Sequence, residues 1–251
     1  CFLPRVTLPP LRVVFSFALF GGIAYACFVY SAFRLAPAAH AAILLPGALP
    51  FETALLAWAW LGQKPSRRQG LALACVFAGI VLTAADTLAR GPQLTGWQIV
   101  GDLLFLCGSS SWAVFTLLLR RHPLPPLTTT VATALGAAAI YLPLWALFLP
   151  STLSVAPAGE IVMQALYQGV LVVFVAMLLY AQAVRQLGAQ AVALILACVP
   201  AVAALAAVPL LGEPLSLLAL AGLSAVTLGA LLGARPARGE AHPAADASTP
   251  G

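Results

Sequence analysis

Residues 50–66 read PFETALLAWAWLGQKPS and residues 200–216 read PAVAALAAVPLLGEPLS. One shift carries Pro50 onto Pro200, Leu61-Gly62 onto Leu211-Gly212 and Ser66 onto Ser216. The same register runs without a gap from residues 30–84 to residues 180–234, adding Tyr30 on Tyr180 and Gly79 on Gly229. Ala and Leu coincide cheaply in an apolar chain, whereas Tyr, Pro, Leu-Gly and Ser in a single register do not. The stretch is therefore read as one copy of an internal duplication.

The chain around it is built for lipid. Of 251 residues, 62% are hydrophobic and 8% charged, against roughly 25% charged in a soluble domain. Uninterrupted apolar windows predict eight membrane-spanning helices, at residues 12–33, 37–61, 68–86, 98–119, 128–149, 160–184, 190–211 and 215–234. Most reach the roughly 20 residues that a helix needs to cross the hydrocarbon core. A membrane β-barrel would alternate apolar and polar residues over segments of about 10, and residues 191–211 do not alternate. The fold class is an all-α polytopic bundle.

Lys and Arg set the orientation. With eight spans and an internal start, Arg5, Arg12, Lys64, Arg67, Arg68, Arg120, Arg121, Arg185, Arg235 and Arg238 fall on the cytoplasmic side, leaving Arg34 and Arg90 outside. The two copies then point opposite ways. The connection after Gly62 carries Lys64, Arg67 and Arg68 and lies inside; its counterpart after Gly212 carries Glu213 and lies outside. Homologous halves of opposite polarity suit a bundle that alternates between two openings around a midplane site.

The net charge of +5 follows from this bias. The basic residues sit in short connections and form no nucleic-acid stripe. Cys27, Cys75, Cys107 and Cys198 stand singly in apolar runs with no metal-ligand spacing and read as small buried residues. Residues 235–251, rich in Ala and Pro, read as a disordered cytoplasmic tail. The second copy has five spans and the first only three; with Cys1 in place of Met and no cleavable leader, two helices of the first copy are expected to be missing from a ten-helix parent. The domain reading is residues 1–90 for the last three helices of the first repeat, 91–234 for the second five-helix repeat and 235–251 for the tail.

At Tyr30-Ser31-Ala32, Pro50, Leu61-Gly62-Gln63, Ser66-Arg67-Arg68-Gln69 and Gly79, and again at Tyr180-Ala181-Gln182, Pro200, Leu211-Gly212-Glu213-Pro214, Ser216 and Gly229, the chain resembles the EamA-type transporters of the drug/metabolite transporter superfamily. The resemblance implies two tandem five-helix repeats and transport of a small solute. It covers nearly the whole chain through loop and packing residues, so it speaks to fold far more than to substrate. Gln63 stands where the family pattern has Glu.

Candidate chemistry is sparse. Glu52 is the one carboxylate well inside a span, where an ionised group costs a few kcal/mol unless it meets water, a partner or a proton. Two readings stay open: a proton-coupling or cation-binding carboxylate, and a half-buried one paired with Lys64 or Arg67. Asp102, Phe105, Ser109, Trp112 and Thr116 recur at steps of three or four on one helical face, the pattern of a cavity wall and equally of a helix–helix contact. Gln164, Gln168 and Gln182 share another face, with Tyr167 and Tyr180 near its ends. Pro50 and Pro200 remove a backbone hydrogen bond at matched positions and are hinge or kink candidates. His40, near the outer end of its span, has two readings, a satisfied interface residue first and a proton relay second. The expected solute cavity draws on Tyr30, Glu52, Ser109, Trp112, Thr116, Tyr167, Gln168 and Tyr180.

The expected function is secondary-active export of a small metabolite or amphipathic compound across the bacterial inner membrane by alternating access, with proton coupling as an option. The alternative is a non-transporting membrane partner or structural subunit. No metal or other cofactor is expected and no enzyme activity: GxxxxGK[ST], HExxH and GxSxG are all absent. Expected partners are the lipid bilayer, a small-molecule substrate and at most a second copy of the chain.

Overall fold

A computed structural model describes residues 7–36, 38–90, 96–148, 156–199, 202 and 216–234. Pro200, the Gly212 connection and the 235–251 tail lie outside these residues. Every element among them is a helix: α1 (Leu11–Ala32), α2 (Ala38–Leu61), α3 (Arg67–Arg90), α4 (Gly96–Arg121), α5 (Pro126–Phe148), α6 (Ala158–Leu187), α7 (Ala189–Leu196) and α8 (Leu217–Ala234). Five stretches of these are long and apolar enough to cross a membrane: Leu11–Ala32, Ile43–Leu61, Gly96–Arg121, Pro126–Phe148 and Ala158–Leu187. The protein is a multi-pass membrane protein. In hydrocarbon every backbone N–H and C=O must be paired within the chain, which is why connections are short and strands are absent from the described residues.

Local sequence explains where helices stop. Gly62 has φ +65°, a conformation that costs any residue with a Cβ, and its N–H closes α2 on the Trp58 carbonyl at 3.0 Å. Gly188, with φ +85°, separates α6 from α7. The Ser66…Gln69 pair of the family pattern is a capping box at the start of α3. Ser66 N–H donates to Gln69 Oε1 at 2.8 Å and Gln69 N–H to Ser66 Oγ at 3.2 Å. Ser66→Ala is therefore expected to lower stability by about 1 kcal/mol, read as a lower unfolding temperature in detergent, while Ser66→Asp should restore most of it.

Lipid offers no hydrophobic force between helices, so close approach at small residues matters. Around α4 this is clear: a Cβ on Gly108 would lie 2.8 Å from Val29 Cγ2, and one on Gly101 would lie 2.6 Å from Ala36 Cβ. The sequence of contacts gives directions. From Ala36–Gly101 through Val29–Gly108 to Phe17–Phe115, α1 runs antiparallel to α4. From His40–Asp102 to Glu52–Ser110 and Gln63–Arg120, α2 runs parallel to α4.

The α3–α8 crossing is reciprocal. A Cβ on Gly79 would meet Val226 Cγ2 at 2.5 Å and the Gly222 carbonyl oxygen at 2.6 Å; one on Gly229 would meet Val76 Cγ2 at 2.7 Å and the Ala72 carbonyl oxygen at 2.7 Å. Because residue 79 faces 222 while 72 faces 229, the two helices are antiparallel. Val76, Ala72, Leu194, Ala197 and Val226 close the core here.

Two helices contain wide π turns, Leu19–Ile23 in α1 and Ala165–Ala176 in α6. α2 continues through Pro46 as well as Pro50. α6 has no buried residue from Ala158 to Ala176, unlike α1, whose Val13, Phe17, Ala18, Val29 and Ala32 are covered. The expectation of buried cysteines is corrected: Cys27 and Cys107 are exposed, and Cys75 and Cys198 are half-buried, all four as free thiols. Periodicity was too weak in these near-uniformly apolar helices to tell the lipid-facing side from the packed one.

Candidate functional site

Helix α4 holds the chemistry, because its polar residues step around the helix and reach α2, α1 and α6 in turn. In the run Gly108-Ser109-Ser110-Ser111, Ser109 Oγ donates to the Leu45 carbonyl of α2 at 3.0 Å and Ser110 Oγ to Glu52 Oε1 of α2 at 2.8 Å. Ser111 Oγ donates to the Phe20 carbonyl of α1 at 2.9 Å. Phe20 lies in the π turn of α1, where the regular hydrogen-bond ladder is interrupted.

Glu52 is half-satisfied. Its Oε1 is held by Ser110, while among the described residues Oε2 is buried without a hydrogen-bond partner, as is the neighbouring Thr53 Oγ1. Two residues toward the start of α2, Gln190 Nε2 of α7 reaches the Pro50 carbonyl at 3.2 Å. Fully buried Pro50 lacks an N–H of its own, so it cannot close the helical bond to the Pro46 carbonyl. The middle of α2 thus combines a carboxylate oxygen lacking a donor with an interrupted backbone ladder.

Beside this lies an aromatic cluster centred on Trp112 of α4. Its ring stands 5.0 Å from Tyr25, 5.1 Å from Tyr180 and 5.3 Å from Phe115, all tilted. Thr116 Oγ1 lies 2.7 Å from the Trp112 carbonyl and 2.5 Å from the Tyr180 hydroxyl. Leu56, one turn beyond Glu52, packs with Trp112 against Leu49, Ala113 and Ala193. At one end of α4, His40 Nδ1 meets Asp102 Oδ1 at 2.8 Å; at the other, Arg120 donates to Gln63 Oε1 at 2.6 Å.

Of the candidates named from sequence, Glu52, Ser109, Trp112, Thr116 and Tyr180 come together along α4. Tyr30 (62% exposed), Tyr167 (55% exposed) and exposed Gln168 do not join them. Pro50 is in the group, and Pro200 lies outside the described residues. The stripe from Asp102 to Thr116 is divided between two roles: Asp102 and Ser109 bond across to α2, Phe105 is buried against Phe33, and Trp112 and Thr116 form the aromatic cluster. Glu52 pairs with Ser110, and neither Lys64 nor Arg67 reaches it. Ser110, Tyr25 and Gln190 were missed. The serine run was visible in the sequence, but which neighbour each hydroxyl meets depends on helix placement.

These features define a polytopic α-helical membrane protein with a polar and aromatic interior. The EamA-like transporter family matches residues 2–85 and 99–234. The chain belongs to that family of membrane transporters. A crystal structure of a protein 20% identical superposes with a TM-score of 0.67, covering 90% of this chain and 78% of its own, and so shares the fold. No curated protein matches the chain.

Proposed function

We propose that this protein is a secondary-active transporter of the bacterial inner membrane, exporting a small metabolite or amphipathic compound by alternating access and coupling it to protons at Glu52. The observation that carries the reading is the half-satisfied Glu52 carboxylate, with Oε1 on Ser110 and Oε2 buried without a partner among the described residues. A charge so placed inside a membrane helix costs several kcal/mol unless a proton or cation neutralises it. A group that must exchange such a ligand to change its surroundings is suited to coupling.

Two inverted repeats form the moving frame, residues 1–90 and 91–234, with eight spans here and the 235–251 tail at the cytoplasmic side. The reciprocal, antiparallel crossing of α3 and α8 supports this, since the duplication maps Gly79 onto Gly229, Val76 onto Val226 and Ala72 onto Gly222. A two-fold axis perpendicular to both helices relates contacts of that kind. The bare α6 favours two further helices on its surface, because α4 and α5 cover α1, its counterpart, in the other copy.

Proteoliposomes with an imposed proton gradient test the function: a solute panel should reveal gradient-driven flux, and no flux for any solute would favour a non-transporting subunit. Single cysteines at Ser66 and Ser216, in a background without other thiols, should be labelled from opposite sides. Labelling from the same side would end the inverted-repeat reading.

A further inference from the structure

The end of the bundle where α2 turns into α3 carries cations that the transport reading does not use. Lys64, Arg67 and Arg68 are exposed in the α2–α3 connection and the first turn of α3, and Arg121 is exposed at the end of α4. The contact from Arg120 to Gln63 at 2.6 Å pins these two connections together, so positive charges distant in sequence share one surface. Residues 61–70 and 117–127 contain no Asp or Glu, and the one ion pair recorded among the described residues, His40–Asp102, is at the opposite end of α4. Such a surface repels itself until an anion reaches it.

Its surroundings select the kind of anion. Trp58 and Trp60, 50% and 53% exposed, stand within two turns of Lys64 at the end of α2. Exposed indoles at the end of a membrane helix sit at the level where headgroups meet acyl chains. A soluble anion has no use for them, whereas a phospholipid places its phosphate among the cations and its glycerol and upper acyl region against one ring or the other, since two residues put the indoles on opposite sides of α2. We infer that this surface binds the headgroups of anionic phospholipids, with Lys64, Arg67, Arg68 and Arg121 holding phosphate and Trp58 and Trp60 bordering the lipid.

The purified protein should retain phosphatidylglycerol in preference to phosphatidylcholine, by native mass spectrometry, and less of it at high salt. A triple variant, Lys64→Gln, Arg67→Gln and Arg68→Gln, should bind phosphatidylglycerol on the order of a hundredfold more weakly. The charge-conserving variant Lys64→Arg, Arg67→Lys and Arg68→Lys should bind like the parent, and Arg34→Gln, remote from the surface, should change nothing. Equal retention of both lipids by the parent overturns the inference, as does undiminished retention by the triple variant. Competition by inorganic phosphate or glycerol phosphate as effective as that of the lipid would make it a soluble-anion site and overturn it too.

Discussion

Gly79→Val is expected to destabilise the folded bundle by about 3 kcal/mol, at the upper end of what overpacking costs. A Cβ at that position lies 2.5 Å from Val226 Cγ2, 2.6 Å from the Gly222 oxygen and 2.8 Å from the Val226 nitrogen. Two of those atoms are backbone and cannot rotate away, so α3 and α8 must separate. Gly229→Val should cost a similar amount, since its Cβ meets the Ala72 oxygen and Val76 nitrogen at 2.7 and 2.9 Å. The double variant should cost less than the two losses added together, because the first already parts the helices. Gly70, also on α3, has nothing within 4 Å of a Cβ, and Gly70→Ala should be neutral or stabilising by up to about 1 kcal/mol. Unfolding in detergent measures all four, and a Gly79→Val protein as stable as Gly70→Ala would refute the crossing.

Glu52→Gln is expected to remove most proton-driven flux while leaving the bundle folded. Gln keeps the shape of Glu and can still accept from Ser110 Oγ, but it can neither carry a negative charge nor release a proton. What is lost is a group that can take up and release a proton, and the flux that depends on it should fall on the order of 100-fold, the lower end of what a positioned proton-transfer group contributes. Ser110→Ala should reduce flux by less, since it takes away only the donor on Oε1 and leaves the carboxylate in place. Comparison of initial rates across a pH series, at matched protein density in the vesicles, separates the cases. A Glu52→Gln protein whose flux keeps the parent's pH dependence would assign Glu52 a purely structural part.

The helices were legible from length and composition because the bilayer imposes both. The predicted span 98–119 became Gly96–Arg121 and the span 128–149 became Pro126–Phe148. The shifts are at the ends, where Arg120 and Arg121 can extend a helix beyond the hydrocarbon by reaching toward water. Of the predicted span 190–211, Ala189–Leu196 and residues 199 and 202 are helical, and the remaining residues from 200 to 211 lie outside the described residues. Within the site, helical periodicity put Ser109, Trp112 and Thr116 on one face, and the structure divides that face, with Ser109 on Leu45 of α2 and Trp112 and Thr116 on Tyr180. Periodicity says nothing of what the face meets, and the same stripe serves α2 at Asp102 and Tyr180 of α6 at Thr116.

Tyr30 and Tyr180 make the division plain. The shift that carries Pro50 onto Pro200 carries one onto the other, yet Tyr180 lies between Trp112 and Thr116 while Tyr30 is 62% exposed. By itself the sequence determined a polytopic helical membrane protein with a carboxylate out of place in lipid, because hydrocarbon length and charge bias act along the chain. Only the tertiary structure decided that Glu52 meets Ser110 with one oxygen left over, and that Gly79 and Gly229 exchange equivalent contacts. Those outcomes depend on which helices pack together and in which direction, and in a chain this apolar nearly every face is hydrophobic enough to pack, so close fit at small residues and single hydrogen bonds makes the choice.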